Sequence, residues 1–406
     1  MDEMLLKSEI STEVMDLVTQ YLSSDVPFIQ RGNYLICPGF CDVHVHFREP
    51  GFCYKETISS GSRAAAAGGY TTVMTMPNLN PVPDNEAHLN VQIDAISKGA
   101  VIDVIPYGSI TVGQRGEVLS DMDAMADKVC AFSDDGRGVQ DVAVMTRALE
   151  KASQLKKLIV AHCEDNDLVR GGYIHDGQYA KLHGHKGICS ASEYEPIRRD
   201  LEVVERLGAS YHVCHVSAKE SVEVIRRAKA RGVDVTCETA PHYLVMTDMD
   251  LLEEGRFKMN PPLRGEEDRL ALIEGILDGT VDMIATDHAP HSAEEKSKGL
   301  SGSAFGIVGL ETAFPVLYTD LVRTGVLTLD KVIDLMVTAP RRRFNLPVRR
   351  EDFTVFDLSK GYAVNPEEFY SQGKNTPFTG KEVFGRCILT VCKGKIAHLY
   401  KEIKNG

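Results

Sequence analysis

The chain is 406 residues long, with 45 Lys+Arg against 58 Asp+Glu and a formal net charge of −13. It has no basic run and no basic stripe interleaved with aromatics, which excludes a nucleic-acid binder, and no apolar run reaches the length of a membrane span. Its 43% hydrophobic content allows a large core, and the acidic, amphipathic start MDEMLLKSEISTEVMDL lacks the cationic-then-apolar order of an export signal, so the 10 cysteines read as free thiols of a cytoplasmic protein.

STEVMDLVTQYLSS predicts a helix, with Val14, Leu17, Val18 and Leu22 on one side. A break at Pro38 and Gly39 then opens PGFCDVHVHFREP. As a strand, this stretch projects Asp42, His44, His46 and Arg48 the same way. On a helix, residues two apart diverge by roughly 200° and could not easily share an ion. The strand reading sets two imidazoles side by side with a cation beyond, an arrangement suited to a divalent metal. TISSGSRAAAAGG follows as a helix, TTVMTMP (71–77) as a strand and DNEAHLNVQIDAISKG as a helix. VIDVIPYGSI (101–110) and KVCAFSDDG (128–136) are strands, and VAVMTRALEKASQL is helical. LIVAHCED (158–165) precedes a long loop and a helix through 198–207. SYHVCHVS (210–217), AKESVEVIRRAKARG, VDVTCETAP (233–241), DRLALIEGILDG and VDMIATDHAPH (281–291) complete the alternation.

Such strand–helix alternation implies parallel pairing with right-handed crossovers, and the eight units have the size of a (β/α)8 TIM-like barrel. An open doubly wound sheet is the alternative, but no GxGxxG follows the first strand here. The hydrolase barrel is assigned to residues 38–340. FTVFDL, RCILTVCKGK and IAHLY then form a small β segment over 341–406, and residues 1–37 are expected to pack on the barrel as a helical and extended segment.

Barrels of this kind carry their active sites at the C-terminal ends of the strands. Those ends hold His44 and His46, Asp134 and Asp135, His162, His215 and Asp287, a heavy concentration for a chain with 13 histidines. Four imidazoles and two carboxylates exceed the needs of one tetrahedral zinc, and a two-metal site hydrolysing an amide-like bond fits them better. By strand parity Cys163 and Cys214 face away from their neighbouring imidazoles as core residues, and His212 faces away from His215. His183, His185 and His242 read as ordinary polar residues. Asp42 either orients an imidazole from behind or is buried with another partner.

PGFCDVHVHFREPG, AAAAGGYTTVMTMPNLNPVPD, FSDDG, AHCED, CHVS, MNPPLR, TDHAPH and FGIVGLETAFP resemble the dihydroorotases, in the bacterial type I branch of the amidohydrolase superfamily. The resemblance runs from about residue 34 to near the C-terminus, where KNTPFTG also matches. It implies reversible cyclisation of N-carbamoyl-L-aspartate to L-dihydroorotate in pyrimidine (UMP) synthesis, with two zinc ions per chain. His44, His46 and Asp287 would bind one ion, and His162 and His215 the other. Asp135 would bridge them, with Asp134 as the alternative, in the role a carboxylated lysine plays in hydantoinases. Lys128, the one nearby lysine, lies at the wrong end of its strand and reads as surface. A hydroxide between the metals would attack the ring amide, with Asp287 as general acid/base. Arg48 and Asn78 would hold the substrate carboxylate, and Asn260, His291 and the backbone at Phe305 and Gly306 would complete the pocket. The glycine-containing segment 288–306 would act as a lid. The resemblance also implies a homodimer and association with aspartate transcarbamoylase.

Dihydroorotases usually carry several short strands before the PGF motif, whereas about 37 residues precede it here, so the β domain should be reduced and built mainly from the C-terminal segment. A hydantoinase or allantoinase would normally have the bridging lysine and lack the Arg48/Asn78 pair. A non-catalytic amidohydrolase-fold scaffold would have lost ligands, and none is lost here.

Overall fold

A helix, α1 (Thr12–Leu22), begins the residues that the computed structural model describes, 11–401. Ser11 caps it by accepting the Val14 N–H, and its apolar stripe buries Val14, Leu17, Val18 and Tyr21. The hairpin β1 (Ile29–Arg31) and β2 (Tyr34–Pro38) follows.

The chain then alternates: β3 (Phe40–Val45), α2 (Ile58–Ala67), β4 (Tyr70–Thr75), α3 (Glu86–Gly99), β5 (Asp103–Pro106), α4 (Val142–Gln154), β6 (Ile159–Ala161), α5 (Ala191–Leu207), β7 (Tyr211–Val213), α6 (Lys219–Ala230), β8 (Val235–Thr239), α7 (Glu266–Asp278) and β9 (Met283–Ile284). β3, β4 and β5 form one parallel set, and β6, β7, β8 and β9 another. Every residue of β3 and β4 is buried, as expected for parallel strands covered on both faces. Parallel bridges Gly108↔Phe132 and Phe132↔Ile159 connect the two sets, and Val45↔His288 links the last strand back to the first. The strand predicted at 128–136 is thus reduced to one bridged residue. Beyond it the Asp134 carboxylate, rather than a neighbouring strand, accepts the Ile110 and Thr111 N–H groups, which ends the ladder.

The C-terminal segment supplies β10 (Phe353–Asp357), β11 (Arg386–Cys392) and β12 (Lys395–Leu399). These join the first hairpin in a five-stranded antiparallel sheet of order β1-β2-β10-β11-β12. One face contributes Leu35, Cys37, Phe356 and Cys387 to the main core. The other presents Ile36, Phe353, Val355, Leu389 and Val391 to α1. The N-terminal helix therefore packs on this sheet. The sheet's outer face offers an apolar surface that matches the helix stripe, and each side chain buried there contributes about 1.5–3 kcal/mol. Among the described residues, no helix is long and apolar enough to cross a membrane.

Candidate active site

The ends of the parallel strands point into one cavity of about 380 Å3. Its lining includes every residue singled out from the sequence as a ligand or substrate contact except Asp134, the alternative bridging residue, and His44, which is wholly buried within the cluster. His46 sits just past β3, Asp135 just past the bridge at Phe132, His162 just past β6, His215 past β7 and Asp287 past β9. His215 and Asp287 take left-handed backbone conformations, with φ +34° and +48°. Such conformations cost about 1–3 kcal/mol for a side-chain-bearing residue and concentrate at functional sites.

Asp135 is the centre of the cluster. Its Oδ1 lies 3.3 Å from His44 Nε2 and 3.5 Å from both His162 Nδ1 and His215 Nε2, and its Oδ2 lies 3.4 Å from His46 Nε2. Asp287 Oδ1 lies 3.0 Å from His46 Nε2 and 3.5 Å from His44 Nε2. The ligand atoms of His44, His46 and Asp287 lie within 4.8 Å of one another, as do those of His44, Asp135 and His215. Asp134 points elsewhere. It binds the Ile110 and Thr111 N–H groups at 2.8 and 3.1 Å together with the Thr111 hydroxyl, and burial pushes its pKa up to about 6 against those donors. The geometry thus separates the two neighbouring aspartates into a central and a structural residue. Among the described residues, no lysine lines the cavity, and Lys128 pairs with Glu86 at the surface.

His44 and His46 are oriented from behind by hydrogen bonds. His46 Nδ1 meets Asn78 Oδ1 at 2.9 Å, which leaves Nε2 toward the cluster. His44 Nδ1 meets Glu238 Oε1 at 2.7 Å, and the other Glu238 oxygen lies 3.0 Å from His212 Nε2. Burial works against charge on Glu238, yet His44 and His212 outweigh it and pull its pKa down to about 2. His162 Nε2 lies 3.5 Å from Glu164 Oε2 without a hydrogen bond between them. The hydrogen-bonded partners of His44 and His46 set each ring's tautomer and direction.

Sequence reasoning missed Glu238 and Glu164. Glu164 could have been found by its two-residue spacing from His162, and Glu238 as the one charged residue within its strand, although nothing local shows what it binds. Asp42 was left open as an orienting residue, and it touches no imidazole nitrogen. It accepts the His44 backbone N–H and the N–H and hydroxyl of Thr286, so it fastens the first strand to the last.

On the outer wall, Arg48 Nε donates to the Pro290 carbonyl at 3.2 Å, and Nη2 lies 3.4 Å from His291 Nε2. Burial draws the Arg48 pKa down to about 10, which keeps the guanidinium charged at neutral pH. Burial, with Arg48, Lys55 and Lys296 nearby, lowers His291 to about 3, so its ring is neutral and donates from Nε2 to the Phe305 carbonyl at 2.7 Å. Asn260 Nδ2 donates to Glu164 Oε1 at 2.8 Å, which turns the amide oxygen away from that carboxylate.

An enclosed set of imidazoles and carboxylates at strand ends, beside a fixed guanidinium, defines an amidohydrolase-type site. The architecture agrees with that class. L-Hydantoinase (dihydropyrimidinase) from Arthrobacter aurescens superposes with a TM-score of 0.80 at 25% identity, covering 90% of this chain and 86% of that one. D-Hydantoinase from Thermus sp. gives 0.75 at 24% identity, over 90% and 86%, and shares the fold. The sequence is more specific: a Dihydro-orotase-like family profile matches residues 33–221. Dihydroorotase of Fusobacterium nucleatum is 52% identical over 93% of this chain and 91% of that protein, and dihydroorotase of Bacillus caldolyticus is 48% identical over 96% and 93%. The chain belongs to the dihydroorotase family.

Proposed function

We propose that the protein is a two-zinc dihydroorotase that interconverts N-carbamoyl-L-aspartate and L-dihydroorotate, on parallel strands that close as a (β/α)8 barrel over 38–340 with the C-terminal strands forming the smaller domain. The convergence of His46, His162, His215, Asp135 and Asp287 on one cavity, with His44 buried behind them and the Arg48–Asn78–His291 wall beside them, carries the reading. The donor set fits the metals. His44 Nε2 and Asp135 Oδ1 are buried without a hydrogen-bond partner and face each other at 3.3 Å. His44, His46 and Asp287 would hold one ion, His162 and His215 the other, with Asp135 shared. When bound, the ions supply an acidified water and polarise the ring carbonyl.

The chain's own residues do the rest. The Arg48 guanidinium and the Asn78 amide hold the substrate carboxylate, with His291 beside them. Asn260 and the backbone at Phe305 and Gly306 hold the ring. Imidazoles nearby hold the buried Asp287 carboxyl below the usual range despite its desolvation, so it is ready to accept a proton. In ring opening it takes that proton from the attacking water and delivers it to the ring nitrogen as the C–N bond breaks. Cyclisation reverses the transfer.

Asp135 at the centre, with no lysine there, argues against the hydantoinase and allantoinase reading. The complete donor set argues against a non-catalytic scaffold. On the same reading the enzyme is a cytoplasmic homodimer that associates with aspartate transcarbamoylase, and the ten free cysteines suit a reducing compartment. The test is ultraviolet-monitored ring opening of L-dihydroorotate by the purified, zinc-loaded chain. Turnover of hydantoin or dihydrouracil in its place would refute the assignment.

A further inference from the structure

Lys296 is 5% exposed, an unusual place for an ammonium group. Its Nζ donates to three main-chain carbonyls: Lys258 at 2.9 Å, Ala304 at 2.7 Å and Gly306 at 2.7 Å. The Lys258 carbonyl also accepts the Gly306 N–H at 3.1 Å, so the ammonium sits where two segments of backbone meet. One segment runs on to Asn260, and the other contains Phe305 and Gly306. Lys258 adds a second tie between them, with Nζ donating to the Ser301 carbonyl at 3.0 Å and standing 4.4 Å from the Phe305 ring centre. An apolar side chain would fill this space with no desolvation cost. What the lysine adds is three donors that converge on three carbonyls, a function no apolar residue supplies.

We propose, building on the dihydroorotase reading, that Lys296 is a positioning residue: its ammonium locks the 304–306 segment against 258–260 and so sets the distance between Phe305, Gly306 and Asn260 across the substrate cavity. It touches no member of the imidazole–carboxylate cluster. Its loss is therefore felt in substrate binding and not in metal retention. A shift of about 1 Å in a positioning group costs up to about a hundredfold in kcat/KM.

The experiment compares Lys296→Met and Lys296→Arg with the parent, as full chains loaded with zinc. Zinc content, kcat and KM for L-dihydroorotate, and amide hydrogen exchange at residues 258–260 and 304–306 are measured. Lys296→Met should keep its zinc, raise KM about tenfold or more with kcat little changed, and exchange faster in both segments together. Lys296→Arg should recover part of the KM, since it restores donors in a planar fork that fits three carbonyls less well. A folded Lys296→Met with parental KM, or one that loses zinc and kcat together, overturns the proposal. If Lys296→Met fails to fold, Lys296→Arg decides: raised KM with faster exchange supports the lock, and parental values of both overturn it. A parent inert on dihydroorotate sinks the functional reading alone. Exchange in the ligand-free proteins still tests the lock, and parental exchange rates in Lys296→Met refute it.

Discussion

Glu238 offers the sharpest test of how the cluster is organised. It is 1% exposed and bonded to His44 Nδ1 at 2.7 Å and His212 Nε2 at 3.0 Å. In Glu238→Gln one oxygen still accepts from His44, and the new NH2 group must face His212. His212 can adapt, because its Nδ1 lies 2.8 Å from the Thr236 hydroxyl and can carry the ring proton instead. The fold should survive while the negative charge behind His44 is lost. Outer partners of metal-bound imidazoles are worth about 10–100-fold in affinity, or roughly 1.4–2.7 kcal/mol. Glu238→Leu is harsher, since two buried ring nitrogens lose their partner at about 1–3 kcal/mol each. The assay is zinc competition against a chromophoric chelator on stripped protein, with urea unfolding of the same samples. Glu238→Gln should bind the first zinc at least about tenfold more weakly at near-parental stability, and Glu238→Leu should lose both affinity and stability. Parental zinc affinity in both variants would refute the claim that this carboxylate orients His44.

Asp134→Asn should weaken folding by about 1–3 kcal/mol yet retain zinc, whereas Asp135→Asn should fold and fail to retain it; metal analysis beside urea melts separates the two, and the reverse pattern would exchange their roles. Burial lowers His398 to about 4, so it is neutral in the fold and takes up a proton on unfolding. Its contribution is intact above pH 6.5, the ordinary histidine value, and is lost as pH falls toward 4, amounting to about 2 kcal/mol at pH 5. His398→Gln should flatten the loss of stability between about pH 7 and 5, and an unchanged slope in urea melts would contradict this. Leu17→Ala should cost about 2–5 kcal/mol of stability and leave turnover per folded molecule unchanged, because α1 lies on the sheet face turned away from the cavity.

Much of the site was legible because strand parity and strand ends are local properties. His44 and His46 follow from alternation alone, and His162, His215 and Asp287 follow once the strands are read as parallel. Asp134 and Asp135 could not be separated by that logic. Parity needs a register, and the segment carrying them pairs through a single residue, Phe132. The role of Glu238 was hidden for another reason. Its partners His44 and His212 lie 194 and 26 residues away in sequence, so no window of the chain contains the interaction. The same holds for α1, whose stripe is readable but whose covering face comes from β10 and β11. The three carbonyls around Lys296 are main-chain atoms, which leave no mark in a sequence.

The five-stranded sheet also sets an order of events in the cell. β2 pairs with β10, and β10 in turn with β11, so strands from opposite ends of the chain must meet before that sheet exists. At translation rates of about 5–20 residues per second, β2 waits on the order of tens of seconds for its partners to leave the ribosome. Through that interval the apolar stripe of α1 and an open strand edge lie uncovered on the nascent chain. Chains released before β11 is made keep that edge and stripe exposed and would be the ones that aggregate.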